Sequence, residues 1–119
     1  MIVLDQFPRN MFRGEARIYA ADPLAREIAA RAISRGFDLQ VPDLRKFIYL
    51  PFEHSEYPAD QERCVDLNRS SGDADALKWA EHHADIVRRF GRFPHRNAVL
   101  GRESTAEEQA FLAEGGFAG

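Results

Sequence analysis

Cysteine is almost missing from this chain: Cys64 is the single example in 119 residues. No intrachain disulfide can form, so the class of small secreted domains stapled by disulfides is excluded and a reducing, cytoplasmic setting is expected. Lysine is nearly as scarce, with Lys46 and Lys78 set against fourteen arginines. That imbalance has two open readings, the base composition of the source genome or selection for planar donors that grip carboxylates two bonds at a time. No apolar run approaches the roughly 18 residues that cross a bilayer. The opening MIVLDQFPRN meets Asp5 without a basic leading region, unlike a secretory signal. Neither a membrane partner nor a targeting segment is expected.

Other absences narrow the chemistry. There is no Walker loop, no GxGxxG turn and no HExxH pair, so the sequence points to no cofactor and no metal. No stretch alternates polar and apolar residues with the period of a strand, and no internal repeat is visible. The net charge of −3 creates no overall field toward nucleic acid, which is not expected as a partner. What remains is ordinary for a folded domain, with 45% hydrophobic and 29% charged residues. At this length a single core is expected to bury about two thirds of the unfolded chain's surface. The expectation is one helical domain over 1–119.

Proline and glycine mark out short helices. Asp22-Pro23 begins one as N-cap and first helical residue, with Leu24, Ala25, Ile28, Ala29, Ala32 and Ile33 on its apolar face and Gly36 as its stop. Pro42 opens a second, with a Leu44, Phe47 and Ile48 stripe that ends at Pro51. Pro58 opens a third, closed by Ser70-Ser71-Gly72. The longest is expected from Ala74 to Phe90, with Trp79, His83, Ile86 and Phe90 on one face, stopped by Gly91. An ordered loop with a turn at Asn97 to Leu100 follows. Ser104 or Thr105 then begins the last helix, each with a glutamate three positions on, the spacing of a capping box. The fold class is therefore all-α, built of short antiparallel helical hairpins.

The most distinctive segment is RRFGRFPHRNAVLGR, residues 88–102, with five arginines, one histidine and no acidic residue among fifteen positions. Guanidinium groups interleaved with Phe90, Phe93 and Leu100 must meet internal carboxylates or a bound anion. Its charge complement is the stretch 53–62, where Glu53, Glu56, Asp60 and Glu62 stand without a lysine or arginine. The two segments are expected to meet, as a structural clamp or as the wall of a ligand site. His83, on an apolar helix face, is either a satisfied core residue or a partner of His54 and a carboxylate from Glu53 or Glu56 in a metal or proton-transfer site. Ser55 reads as a turn cap rather than a nucleophile, and Cys64 as a small buried apolar residue.

Several separated motifs carry a resemblance: LDQFPRNMFRG at 4–14, PFEHSE at 51–56 followed by Asp60-Gln61, His83 ahead of RRFGRFPHRN, and LGREST with Glu107, Glu108, Phe111 and Leu112. On these the chain resembles the bacterial domain of unknown function 924 family. The resemblance implies an all-helical, tetratricopeptide-like bundle and no established activity. It also implies several dozen residues ahead of the LDQFPRN motif, which here lies almost at Met1. The expectation is that apolar faces are left uncovered and that a homodimer forms through them.

Taken together, the expected site is a polar cavity for a small anionic molecule. Asp5, Arg9, Asn10, Arg13, Arg92, His95, Arg96, Asn97 and Arg102 are the expected ligand-binding residues. His54, His83 and Glu56 are the candidates for acid and base work, with the arginines stabilising developing negative charge. The competing expectation is a helical-repeat interaction module in which the same polar cluster only locks the loops.

Overall fold

Two capped ends show how the chain divides itself. Gly91 adopts the left-handed conformation at φ 74° and its N–H donates to the Val87 carbonyl at 2.7 Å, closing one helix. Thr105 opens another, its side chain accepting from the Glu108 N–H while the Glu108 carboxylate accepts from the Thr105 N–H. Of the two capping boxes the spacing allows, the one that forms is therefore Thr105–Glu108.

The computed structural model describes residues 22–117. Six α-helices follow one another there: α1 Asp22–Ser34, α2 Phe37–Gln40, α3 Arg45–Glu53, α4 Pro58–Ser71, α5 Ala74–Phe90 and α6 Ala106–Ala113. Single 3₁₀ turns stand at Pro42–Leu44 and Pro94–Arg96. Among the described residues there is no strand, and they form one all-α domain. No helix among them is long and apolar enough to cross a membrane.

Helix α4 packs along α5, α3 lies against α4, and α1 lies against α3. The first core joins Ala29 of α1, Tyr49 and Phe52 of α3, Cys64 and Val65 of α4, and Ala80 and Ala84 of α5. The alanines let helix axes come close, as their spacing in the sequence suggests. A second, smaller core gathers Ile86, Val87 and Phe93, with Phe90, Phe111 and Phe117 against them. It ties α6 and the arginine-rich loop to the end of α5. Cys64 is buried in the first core, and burial pushes its thiol up, away from the reactive thiolate.

The structure corrects several boundary and face assignments. Pro51 does not end α3, which runs through it to Glu53. A proline in a helix forfeits one backbone hydrogen bond, but continuing the helix buries Phe52 and Glu53, and the packing outweighs the loss. Gly36 stops α1 and at once begins the four-residue α2, which the sequence pattern does not signal. Tyr49 rather than Leu44 carries the core face of α3; its hydroxyl donates to the buried Asp38 at 2.5 Å. Leu24, Leu44 and Trp79, assigned to apolar faces, are about half exposed.

Candidate functional site

The loop after α5 is held by its own arginines. Arg102 donates from both terminal nitrogens to Glu56, at 2.9 and 3.0 Å, and from Nε to the Asn97 side-chain oxygen at 3.0 Å. Glu56 also accepts the Phe93 N–H at 2.7 Å. Arg92 grips Glu108 through Nε at 2.8 Å and Nη2 at 2.7 Å, and reaches the Glu103 carbonyl. Asn97 donates to Ser104 and Glu108. Arg96 is buried, donates to the His54 carbonyl at 2.6 Å and lies over the Phe93 ring at 4.8 Å. Arg88, on the surface, pairs with Glu62. The arginine-rich and acidic segments thus meet through Glu56–Arg102 and Glu62–Arg88.

These bonds set the carboxylates' protonation. Glu108 lies well below the usual carboxylate range, chiefly because of the Arg92 hydrogen bonds, with the Thr105 N–H and Asn97 adding to them against the cost of burial. For Glu56, burial is the largest single effect and acts upward. The Arg102 and Phe93 hydrogen bonds and the charges of Arg96 and Arg102 together exceed it, so the net shift is downward.

A second group forms where the end of α3 meets the middle of α5. Glu53, His54 and His83 each bring a ligand-capable atom within 4.8 Å of the others. The His54 and His83 rings are 6.0 Å apart, and His83 Nδ1 lies 4.0 Å from a Glu53 oxygen. His83 Nδ1 is 2.8 Å from the Trp79 carbonyl. A carbonyl only accepts, so Nδ1 carries the hydrogen and Nε2 of the neutral ring keeps its lone pair. Burial, reinforced by the charges of His54, His82 and His95, pushes His83 down to about 4 against the opposing effect of the Trp79 bond. Phe93 and Phe117 pack edge-on against its ring. His82, the next residue, is exposed, as its helical position suggests.

Of the expected site residues, Arg92, Arg96, Asn97 and Arg102 join the loop network, while His95 meets Phe93 and Phe117 at its edge. Asp5, Arg9, Asn10 and Arg13 lie outside the described residues. Ser55 accepts the Tyr57 N–H and donates to Asp60, the work of a turn cap. Two residues carry more than their sequence signal conveys. Glu108, 2% exposed, is a cap by spacing but also the anchor for Arg92 and Asn97. Gln61, 1% exposed, points its amide nitrogen at the carbonyls of Phe52, Glu53 and Ser55, at 3.3, 2.6 and 2.6 Å. It thereby fixes the backbone that presents Glu53 and His54.

Residues 1–116 match the family described as bacterial protein of unknown function DUF924. The chain belongs to that family. It is also similar to a solved structure, a protein of unknown function, ATU0120, from Agrobacterium tumefaciens, at 58% identity and a TM-score of 0.91. The likeness covers 95% of this chain and 64% of that one, so the chain spans less than two thirds of that relative's length. No curated protein matches it. Membership of DUF924 agrees with the motifs at 51–56 and 88–105 and brings no activity with it.

Proposed function

We propose that this DUF924 protein binds a small anionic molecule beside Glu53, His54 and His83, and that one of the two histidines exchanges a proton with it. The observation that carries the reading is the convergence of these three side chains within 4.8 Å at the junction of α3 and α5. His83, neutral and with Nδ1 committed to the Trp79 carbonyl, offers Nε2 as a hydrogen-bond acceptor, and His54, half-buried at the end of α3, is the candidate for the proton exchange. Arg96, bonded to the His54 backbone, supplies a fixed positive charge nearby. In this reading Glu53 is the carboxylate that works with the histidines, and Glu56 holds the loop. Hydrolysis or proton transfer suits the residues present.

A thermal-shift screen of the folded chain against phosphates, nucleotides and small carboxylates tests it. The expected result is stabilisation by one anion class, lost in His54→Gln and in Arg96→Ala. A folded sample that responds to none of these anions sinks the reading.

A second reading has its own support: Arg92 and Arg102 are engaged with internal carboxylates, as a pure clamp requires. Phe37, Leu39, Val41 and Leu44 form an exposed apolar run on and after α2. In this reading the hairpins form a tetratricopeptide-like interaction module, and that run is where another chain docks, a second copy included. Recovery of one stoichiometric partner, or a concentration-dependent dimer weakened by Leu39→Ser, distinguishes it from the first.

A further inference from the structure

The loop's charges leave a question for any anion site here. Arg92 and Arg102 are matched by Glu108 and Glu56, so these pairs contribute no net positive charge. Arg96, donating to the His54 carbonyl, supplies one positive charge, and an anion beside the Glu53 carboxylate gains from a second source of attraction. The ligand set beside it has the composition of one: two imidazoles and a carboxylate, from two different helices, in a partly enclosed place.

We propose that Glu53, His54 and His83 bind one divalent transition-metal ion of the zinc class, leaving a coordination position open to an anion. The proposal deepens the reading above and rests on it for the anion alone; with the metal bound, the histidines serve as ligands and the proton exchange passes to the open coordination position. Two histidines and a glutamate are a known zinc donor set, and three protein ligands with an open position is the arrangement that leaves room for substrate or water. The Trp79 carbonyl holds His83 through Nδ1, the kind of backbone bond that orients a metal-bound histidine and leaves Nε2 as the nitrogen free of the hydrogen; since the 4.0 Å approach to Glu53 is made by Nδ1, coordination through Nε2 takes a small rotation of the ring. Ligand atoms around a tetrahedral zinc stand about 3.3 Å apart. The present spread, within 4.8 Å, closes to that by movements of about an ångström per side chain. His54 stands half-buried at the C-cap of α3, with Gln61 holding the backbone on either side of it. A cleft of about 240 Å³ lined by Lys46, Tyr49 and Trp79 reaches Glu53, though neither His54 nor His83 lines it.

The test is a titration of the full, chelator-treated chain with cobalt(II), read by visible absorption, with equilibrium dialysis for stoichiometry. One ion per chain with the bands of a low-coordinate cobalt site is expected. His54→Gln and His83→Gln should each weaken binding at least about 100-fold, since losing a ligand exceeds the roughly 10–100-fold effect of losing its outer hydrogen bond. His82→Gln should leave it unchanged. If His83→Gln fails to fold, His54→Gln at the helix end decides the matter. No binding by the folded chain at millimolar cobalt, or equal binding by the parent and His54→Gln, overturns the proposal. Repeating the screen with phosphate separates the two claims. Stabilisation by phosphate that needs the metal supports both, and stabilisation undiminished by chelator overturns the metal's role while the anion reading stands. Metal bound through these residues with no response to any anion upholds the metal site and ends the anion reading.

Discussion

Arg102 and Glu56 stand 46 positions apart and meet in a two-pronged ion pair, both guanidinium termini on both carboxylate oxygens. The same carboxylate accepts the Phe93 N–H, so one side chain from the α3–α4 connection holds both ends of the loop after α5. The relationship is mechanical as well as electrostatic: it fixes where Phe93 and Arg96 sit, and through Arg96 the backbone of His54.

Breaking this pair should cost stability, but less than a fully buried one. The two side chains are about a quarter exposed, at 26% and 23%. Glu56→Gln or Arg102→Ala is therefore expected to destabilise the chain by about 2 kcal/mol, below the roughly 3–5 kcal/mol of buried pairs. Urea denaturation of both single variants and the double variant should give a coupling of about 1–2 kcal/mol. Strict additivity would mean that the pair does not hold the loop.

Two adjacent glutamates of α6 should behave very differently. Glu107 is exposed, and Glu107→Ala is expected to change stability by less than about 0.5 kcal/mol. Glu108 is buried and serves Arg92, Asn97 and the Thr105 N–H together, so Glu108→Ala should cost about 3 kcal/mol. Equal chemical midpoints for the two variants would refute the assignment.

Acid should remove that same contribution. Glu108 has a folded-state pKa lowered from 4.5, so the unfolded chain takes up the proton first as pH falls. Its stabilisation is complete above the unfolded value and is lost progressively below it, as pH falls toward the folded value. Glu108→Gln should be less stable than the parent at neutral pH and should show a flatter decline of stability below about pH 4.5. Parallel pH–stability curves for parent and variant would show that the carboxylate is not preferentially ionised in the folded chain.

Gln61 offers a test of the support beneath His54. Gln61→Leu keeps the volume roughly constant and removes the donor to three carbonyls, two of them at 2.6 Å. A loss of about 2–3 kcal/mol is expected, with faster amide exchange at the residues just after α3. An unchanged denaturation midpoint would mean that water or local adjustment replaces the amide.

Gly91→Ala isolates backbone strain. A Cβ there meets nothing within 4 Å, so crowding contributes nothing, yet φ is +74°. The substitution should cost about 1 kcal/mol through left-handed strain alone. A neutral outcome, read by thermal denaturation, would mean that the end of α5 rearranges freely.

Much of this was legible in the residues themselves because it is local. Pro58, Gly72 and Gly91 mark helix ends through constraints on single backbone angles, and α4 begins and ends, and α5 ends, where those residues stand. The core role of Ala25, Ala29, Ala80 and Ala84 also follows from helical spacing. The complementarity of 53–62 and 88–102 was readable as charge composition, since opposite runs of this purity must be neutralised somewhere.

Pairing was not readable, because it depends on where helices end and how they cross. Pro51 carries the local signal of a stop, and only the burial of Phe52 and Glu53 against α4 and α5 overrides it. Composition offers Arg102 several carboxylates; the geometry of the loop selects Glu56 and gives Glu108 to Arg92. Glu53 and His54 are separated from His83 by about thirty positions. Residues so far apart come within reach only when α3 and α5 pack through a shared core, and no local preference encodes that distance. Sequence alone thus determined most helix ends and the charges that needed partners, because both are local, while tertiary packing decided where α3 stops, which partner each charge found and which histidine met which carboxylate.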